Sequence, residues 1–265
     1  MIIVGERLNP SRREIARAIE ERNEGLIQRE ARLQIEAGAS YLDISAGVFL
    51  DKEAELLMWL VKTVQAVTDK PLSIDTVSPK GAEAALKIHK GKALLNSISA
   101  QKEHWDSLTP LIKEYGCAVV ALCQDDSSAP QTVEGKLRVA SGLIEGLAHQ
   151  GVAISDIFLD PLVHSLGVDF KSGGVFLDTL VALKKNYPEV KTIAGVSNVS
   201  YGLPKRRLLN RNFLLLSIEC GLEAAILDPL DQKLLSNIFA AELILGKDEF
   251  CGNFLRAYRQ GKLCD

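Results

Sequence analysis

No two cysteines in the 265-residue sequence stand as C-x-x-C; Cys117, Cys123, Cys220, Cys251 and Cys264 are odd in number and scattered. That spacing argues against a disulfide framework and against a closed zinc site, and it reads as small buried hydrophobes in a reducing compartment. Positive charge is not in excess either. Lys and Arg total 31 against 34 Asp and Glu, a net charge of -3, which provides no broad basic field for nucleic acid or for an anionic membrane. The opening MIIVGERLNP has no basic segment ahead of an apolar run and no small-residue cleavage site, and the longest apolar runs fall far short of a bilayer span. A cytoplasmic protein is expected. The sequence also lacks G-x-G-x-x-G after its first apolar run and the nucleophile elbow G-x-S-x-G. KSGG at 171–174 carries its lysine before the glycines, outside a strand-to-helix context, and reads as a turn. Without a linker rich in Pro, Gly or Ser, one domain is expected over residues 1–265.

What the sequence does contain is a repeated unit. Short apolar runs rich in β-branched residues begin at residues 2 (IIVGE), 41 (YLDIS), 72 (LSID), 93 (ALLNSIS), 118 (AVVALC), 157 (IFLD), 192 (TIAGVSN) and 224 (AAILD). Their near-continuous hydrophobicity is that of parallel strands covered on both faces. The segments between them have helical periodicity and recognisable punctuation: Ser11 and Glu14 have capping-box spacing, Ser78 precedes Pro79, and Gly151 follows a long amphipathic stretch. Eight strands alternating with helices predict an α/β protein, a single (β/α)8 TIM barrel.

Such a barrel builds its active site at the C-terminal ends of its strands. Those ends carry Glu6, Asp43, Asp75, Asn96, the Gln124-Asp125-Asp126 run, Asp160, Asn198 and Asp228. Each alone can be a turn or cap residue. Together they ring one mouth with carboxylates and amides and bring no Lys or Arg for phosphate, a pattern suited to a neutral ligand rich in N–H donors. No metal site is expected: the carboxylates could hold a hard cation, but His89, His104 and His149 fall in helical segments. His164 begins HSLG, part of the His-x-x-Gly signature by which proteins ligate the cobalt of cobalamin. Asp160, however, lies four residues before it rather than two, so a corrinoid of the chain's own is not expected.

The blocks VGERLNPSRRE, LSIDTVSPKGAEAAL, ALLNSIS, FLDPL and GVSNVSYGLPKRRLLNRNFL resemble those of the methyltetrahydrofolate:corrinoid protein methyltransferases. These are pterin-binding barrels that include the folate domain of cobalamin-dependent methionine synthase. The resemblance runs from the first strand to the last. It implies a TIM barrel, often a homodimer, that holds tetrahydrofolate or methyltetrahydrofolate in its mouth while a separate corrinoid protein carrying cobalamin docks over it. It further implies that Asp75, Asn96 and Asp160 bind the pterin, that Asn198 contacts N5 as the catalytic residue, and that Arg206 lies near the folate. Two departures stand out: Ser45 replaces the family's usual Asn, and Tyr201 replaces a polar residue near the reacting end.

The implied reaction moves a methyl group between N5 and cobalt, with transfer from methyl-corrinoid to tetrahydrofolate, as in anaerobic demethylation, the preferred direction. An amide at N5 fits because it can offer oxygen to N5–H or NH2 to a lone pair without titrating. Helix capping is the competing explanation for Asn198. Two other functions remain open at this level. A dihydropteroate synthase would need an Arg and a Pro after the second strand, which DISAGVFLD lacks. A non-catalytic folate-binding subunit of a corrinoid assembly would bind without turnover. The basic run PKRRLLNR at 204–211 could meet an acidic partner or simply be a solvated helix start.

Overall fold

Each of the eight apolar runs forms a strand in the computed structural model, which describes residues 1–127 and 129–264; Ser128 and Asp265 of the expected 1–265 unit lie outside that description. The strands are β1 (Ile2–Leu8), β2 (Tyr41–Ser45), β3 (Leu72–Asp75), β4 (Leu94–Ser99), β5 (Ala118–Leu122), β6 (Ile157–Asp160), β7 (Lys191–Gly195) and β8 (Ala224–Leu227). They pair in chain order, all parallel, and β8 returns to β1 to close a barrel. Helices α1 (Arg13–Glu20) and α2 (Glu24–Ala37) follow β1. One helix then follows each later strand: α3 (Glu53–Gln65), α4 (Pro79–Leu86), α5 (Lys102–Tyr115), α6 (Val133–His149), α7 (Ser172–Asn186), α8 (Arg206–Glu219) and α9 (Gln232–Ile244), with α10 (Gly252–Arg259) at the end. This is the (β/α)8 barrel expected from the alternation. Among the described residues, no helix is long and apolar enough to cross a membrane.

The two-residue period of a strand sorts its side chains between two environments. Outward residues such as Leu42, Ile44, Ile74, Leu95 and Leu159 belong to the large core shared with the helices. Inward residues Val4, Leu94, Val120, Phe158 and Ile193 form a second, smaller apolar cluster, joined by Tyr41, whose ring meets Phe158 edge-on at 6.3 Å. One period further toward the C-terminal ends, the inward positions become polar: Tyr41 gives way to Asp43, Leu94 to Asn96 and Phe158 to Asp160. The barrel therefore has an apolar plug below and a polar layer above. Register holds that layer together, with Asp43 opposite Ser73, Ser45 opposite Asp75 and Asp75 opposite Asn96.

Local signals account for several boundaries. Ser78 caps α4 by accepting from the Gly81 amide at 3.2 Å, with Pro79 in the first helical position. Gly151, at φ +87°, takes the left-handed conformation two residues past the end of α6. Four expectations need correction. Ser11 does not cap α1: Asn9 Oδ1 accepts from the Ser11 amide at 3.0 Å, so an Asx turn occupies the approach and the helix starts at Arg13. KSGG is not a turn: Asp169 accepts from the Lys171 and Ser172 amides and launches α7 at Ser172. His89 lies beyond α4, where its Nε2 accepts from the Leu72 amide at 3.1 Å and ties the helix end to β3. Among the cysteines, Cys117 and Cys123 are buried, but Cys251 is exposed and Cys220 and Cys264 are half-buried, because these three sit near helix ends on the outside of the barrel.

Helix α2 packs closely on β1 at Gly5. A β-carbon there would overlap Oε1 of the fully buried Gln34 on α2, the same oxygen that accepts from the Arg7 amide at 3.0 Å. Gly5→Ala is expected to destabilise the protein by about 1–3 kcal/mol through overpacking, measured by urea denaturation.

Candidate active site

The C-terminal ends of the strands enclose a cavity of about 1070 Å3, and Asp75, Asn96, Asp160, Asn198 and Arg206 all line it. These are the five residues singled out from the sequence, brought to one place from β3, β4, β6 and the chain after β7. Below them Asp43, 3% exposed, accepts from Ser73 Oγ at 2.6 Å and from Asn96 Nδ2 at 3.2 Å. Both donors meet the same oxygen, Oδ1, which accepts whether or not the other oxygen carries a proton, and this turns the NH2 of Asn96 toward Asp43. Asp75 accepts from Asn9 Nδ2 at 3.4 Å and from the Ser45 hydroxyl. The Ser45 departure thus keeps a donor beside Asp75. Asp160 accepts from the Leu162 amide at 2.8 Å, and Glu6 from Ser197 Oγ at 3.2 Å.

Arginines correct the expectation of a mouth without basic residues. Arg7, Arg12, Arg206 and Arg207 also line the cavity. β1 runs on to Leu8, past the glutamate at which the apolar run ends, so Arg7 and Asn9 arrive at the mouth too. The continuous GERLN segment was the available signal. Yet Arg7 is already engaged: it donates to Glu30 at 2.9 Å and Asp228 at 3.0 Å, while Arg12 donates to the Arg7 carbonyl and to Glu30. Arg206 donates to the Ser197 carbonyl at 2.8 Å and to Ser200 Oγ at 3.1 Å and stacks on Tyr201. The Gln124-Asp125-Asp126 run does not join the ring. β5 ends at Leu122, which lines the cavity, while Asp126 accepts from the Lys102 amide and Asp125 from Ser127.

Asn198 sits in a 3-10 turn, Val196–Ser200, directly after β7. Its carbonyl accepts from the Tyr201 amide, but its side-chain amide makes no hydrogen bond with any described residue. It does not cap α8, whose first turn is preceded by Lys205. The side chain lies over Gly195, where a β-carbon would come within 3.0 Å of Nδ2. The absent side chain at 195 is what lets this amide fold back over the strand end, where Asn198 lines the cavity.

The carboxyls are far from their ordinary range. Burial raises Glu6 to about 7, with the Ser197 hydroxyl opposing, the Asp228 charge adding and Arg206 opposing. Burial also raises Asp160 to about 6, opposed by the Leu162 amide and by Lys136. Asp43 and Asp75 are both raised, by burial first and, for Asp43, by the neighbouring Asp75 charge. None of these four forms an ion pair among the described residues. Such a ring favours a ligand that brings N–H donors to the carboxyls. In the ligand-free protein the native state holds protons that unfolded carboxyls, at about 4, have already released. Stability is therefore expected to fall as pH rises from about 4 through 7. Denaturation midpoints should be higher at pH 5 than at pH 7.5 by more in the wild type than in Glu6→Gln or Asp160→Asn, each of which removes one group's share of that dependence.

Comparison with known proteins agrees with this geometry. Residues 5–228 match the model of a family described as pterin binding enzyme. A methylcorrinoid:tetrahydrofolate methyltransferase of Eubacterium limosum is 35% identical over 265 residues, covering 99% of this chain and 98% of the relative. Methionine synthase of Mycobacterium leprae (strain TN) is 29% identical over 245 residues, 85% of this chain but only 20% of that longer protein. In fold, the chain is similar to the Xanthomonas albilineans dihydropteroate synthase solved with 4-aminobenzoic acid, with a TM-score of 0.66 at 21% identity and coverage of 94% and 92%. A full-length relative above 30% identity and a family match that spans seven of the eight strands and part of the first have one meaning: the chain belongs to the pterin-binding enzymes.

Proposed function

We propose that this barrel is a methyltransferase that moves a methyl group between N5 of tetrahydrofolate and the cobalt of a corrinoid carried by a separate partner protein. The observation that carries the reading is the unbonded Asn198 amide facing a ring of protonation-prone carboxyls across one cavity. Asp75, Asn96 and Asp160 take the pterin edge: a carboxylate accepts two parallel N–H bonds, and the amide of Asn96, its NH2 held by Asp43, offers its oxygen. A ligand lacking those donors would leave buried acceptors unpaired, at roughly 1–3 kcal/mol each.

In the direction from methyl-corrinoid to folate, the N5 lone pair forms the new N–CH3 bond while the electron pair of the broken bond remains on cobalt. N5 then loses its proton. In reverse, N5 must be protonated before it can leave. Asn198 serves both states, accepting from N5–H or donating to the lone pair, and its own charge never changes. Arg206 supports this by bracing the turn that carries Asn198. The relative that matches nearly end to end is named for transfer from methylcorrinoid to tetrahydrofolate, which favours that direction here. Dihydropteroate synthases share the fold, but the turn after β2, Gly47–Lys52, has neither Arg nor Pro.

Docking of a partner over the mouth is supported by exposed apolar side chains on loops at the same end, among them Leu50, Val77, Phe170 and Tyr201. In the basic run, Arg211 is paired with Asp231 and Arg206 with the turn, which leaves Lys205 and Arg207 exposed for an acidic surface. The same proposal takes residues 1–265 as one catalytic domain, working as a homodimer in the cytoplasm.

Mixing the protein with tetrahydrofolate and methylcobalamin is expected to change the cobalt absorbance only when the enzyme is present; no enzyme-dependent change would overturn the reading. Asn198→Ala is expected to retain tetrahydrofolate binding and lose on the order of 10²-fold in turnover, as for an aimed transition-state hydrogen bond. Near-wild-type turnover in that variant would remove the role given to Asn198.

A further inference from the structure

Behind Asp160 lies a charge that the methyl transfer does not use. Lys136, in the first turn of α6, is 3% exposed and is the only Lys or Arg among the buried described residues. A cation in the first turn opposes the helix dipole, and burial lowers the pKa of its ammonium, so the position needs compensation. Lys136 forms no ion pair within 4.0 Å among the described residues. Its Nζ donates instead to two backbone carbonyls, those of Pro161 and, at 2.7 Å, Leu162.

Those carbonyls belong to the turn that aims Asp160. Leu162 stands at φ +57°, left-handed backbone that a branched residue rarely adopts. Its amide donates to Asp160 Oδ1, and its side chain lines the cavity. The groups facing this corner are few. Directly after β5, Cys123 donates its amide to the Asp160 carbonyl, and burial pushes its thiol up to about 12, so it is uncharged. From the turn after β6, His164 is held below its ordinary value by burial and by Lys136, with Asp169 opposing. From β4 comes the neutral amide of Asn96. Lys136 is the charge that faces Asp160.

We propose that Lys136 is a positioning residue that sets both the aim and the ionisation of Asp160, and thereby the pH range over which the cavity accepts an edge of N–H donors. The identity of that ligand rests on the pterin reading; the effect on Asp160 itself does not. A lysine that merely anchors a loop would change stability and leave the titration of Asp160 where it is.

The test separates grip from charge. Lys136→Gln keeps an N–H donor for the carbonyls and removes the charge; Lys136→Met removes both. The carboxyl 13C signal of Asp160, assigned by its loss in Asp160→Asn, is titrated in the ligand-free proteins. The midpoint is expected to rise by about one pH unit or more in both variants, the size of effect of an opposite charge nearby. Tetrahydrofolate affinity should then fall about threefold or more at pH 6.5 in Lys136→Gln, the loss of ionised Asp160 when its midpoint moves up from about 6 by one unit, and recover at pH 8.5, whereas Lys136→Met stays weaker at both. An unmoved midpoint in folded Lys136→Gln overturns the proposal. Should neither variant fold, the side-chain 15N signal of Lys136 in the wild type decides: an ammonium at pH 7 is required, and a neutral amine overturns the proposal. If the wild type binds no tetrahydrofolate at any pH while the midpoint still moves, the pterin reading fails and the effect of Lys136 on Asp160 stands.

Discussion

Four buried carboxyl groups share one end of the barrel, with no cation paired to any of them among the described residues. Much of the rest of the site answers to that desolvation. Asp43 is met by a hydroxyl and an amide, Asp75 by Asn9 and Ser45, Asp160 by a backbone amide, Glu6 by Ser197. These neutral donors satisfy lone pairs without supplying full compensation, so the carboxyls hold protons that solvent-exposed ones would release. Arg7 lies close by but belongs to a separate circuit with Glu30 and Asp228 that fastens β1 to α2 and to the chain after β8. A cation inside the ring would have tied up the acceptors that a donor-rich ligand needs.

Much of this arrangement could be read in the sequence because parallel strands buried on both faces leave a plain trace. YLDIS, LSID and IFLD coincide with β2, β3 and β6 from first to last residue. Each ends in or contains the polar residue that reaches the mouth, since a strand's period of two makes side-chain direction predictable once the ends are known. Asn198 was visible as an amide where another apolar residue would have packed, although β7 ends at Gly195 and the amide belongs to the turn that follows. The unreadable parts depend on distant contacts. Ser11 has the right spacing for a cap, but Asn9 takes the adjacent amide first. Lys136 sits in an ordinary amphipathic helix, and only the path of the chain after β6 brings two carbonyls to its ammonium. Arg206 can be placed near the site from its sequence block, while its bonds to Ser197 and Ser200 belong to the folded turn.

Rigidity is distributed unevenly around the ring. Asp75 and Asn96 have register partners on both neighbouring strands, and Asp43 and Asp160 on one, whereas Asn198 stands on a single 3-10 turn. That turn is held by Arg206 from one side, with Ser200 linked onward to Asn210 on α8 at 2.6 Å. On the proposed reading, recognition falls to residues on strands and the group that serves two protonation states to a braced loop, a division of labour common in barrels whose loops carry the chemistry.

The apolar plug beneath the polar layer has a kinetic corollary. Val4, Leu94, Val120, Phe158 and Ile193 fill the lower interior, so the cavity is closed at its base. On the proposed reading, the pterin has to enter before a corrinoid protein covers the mouth, and that cover has to lift before the finished molecule can go.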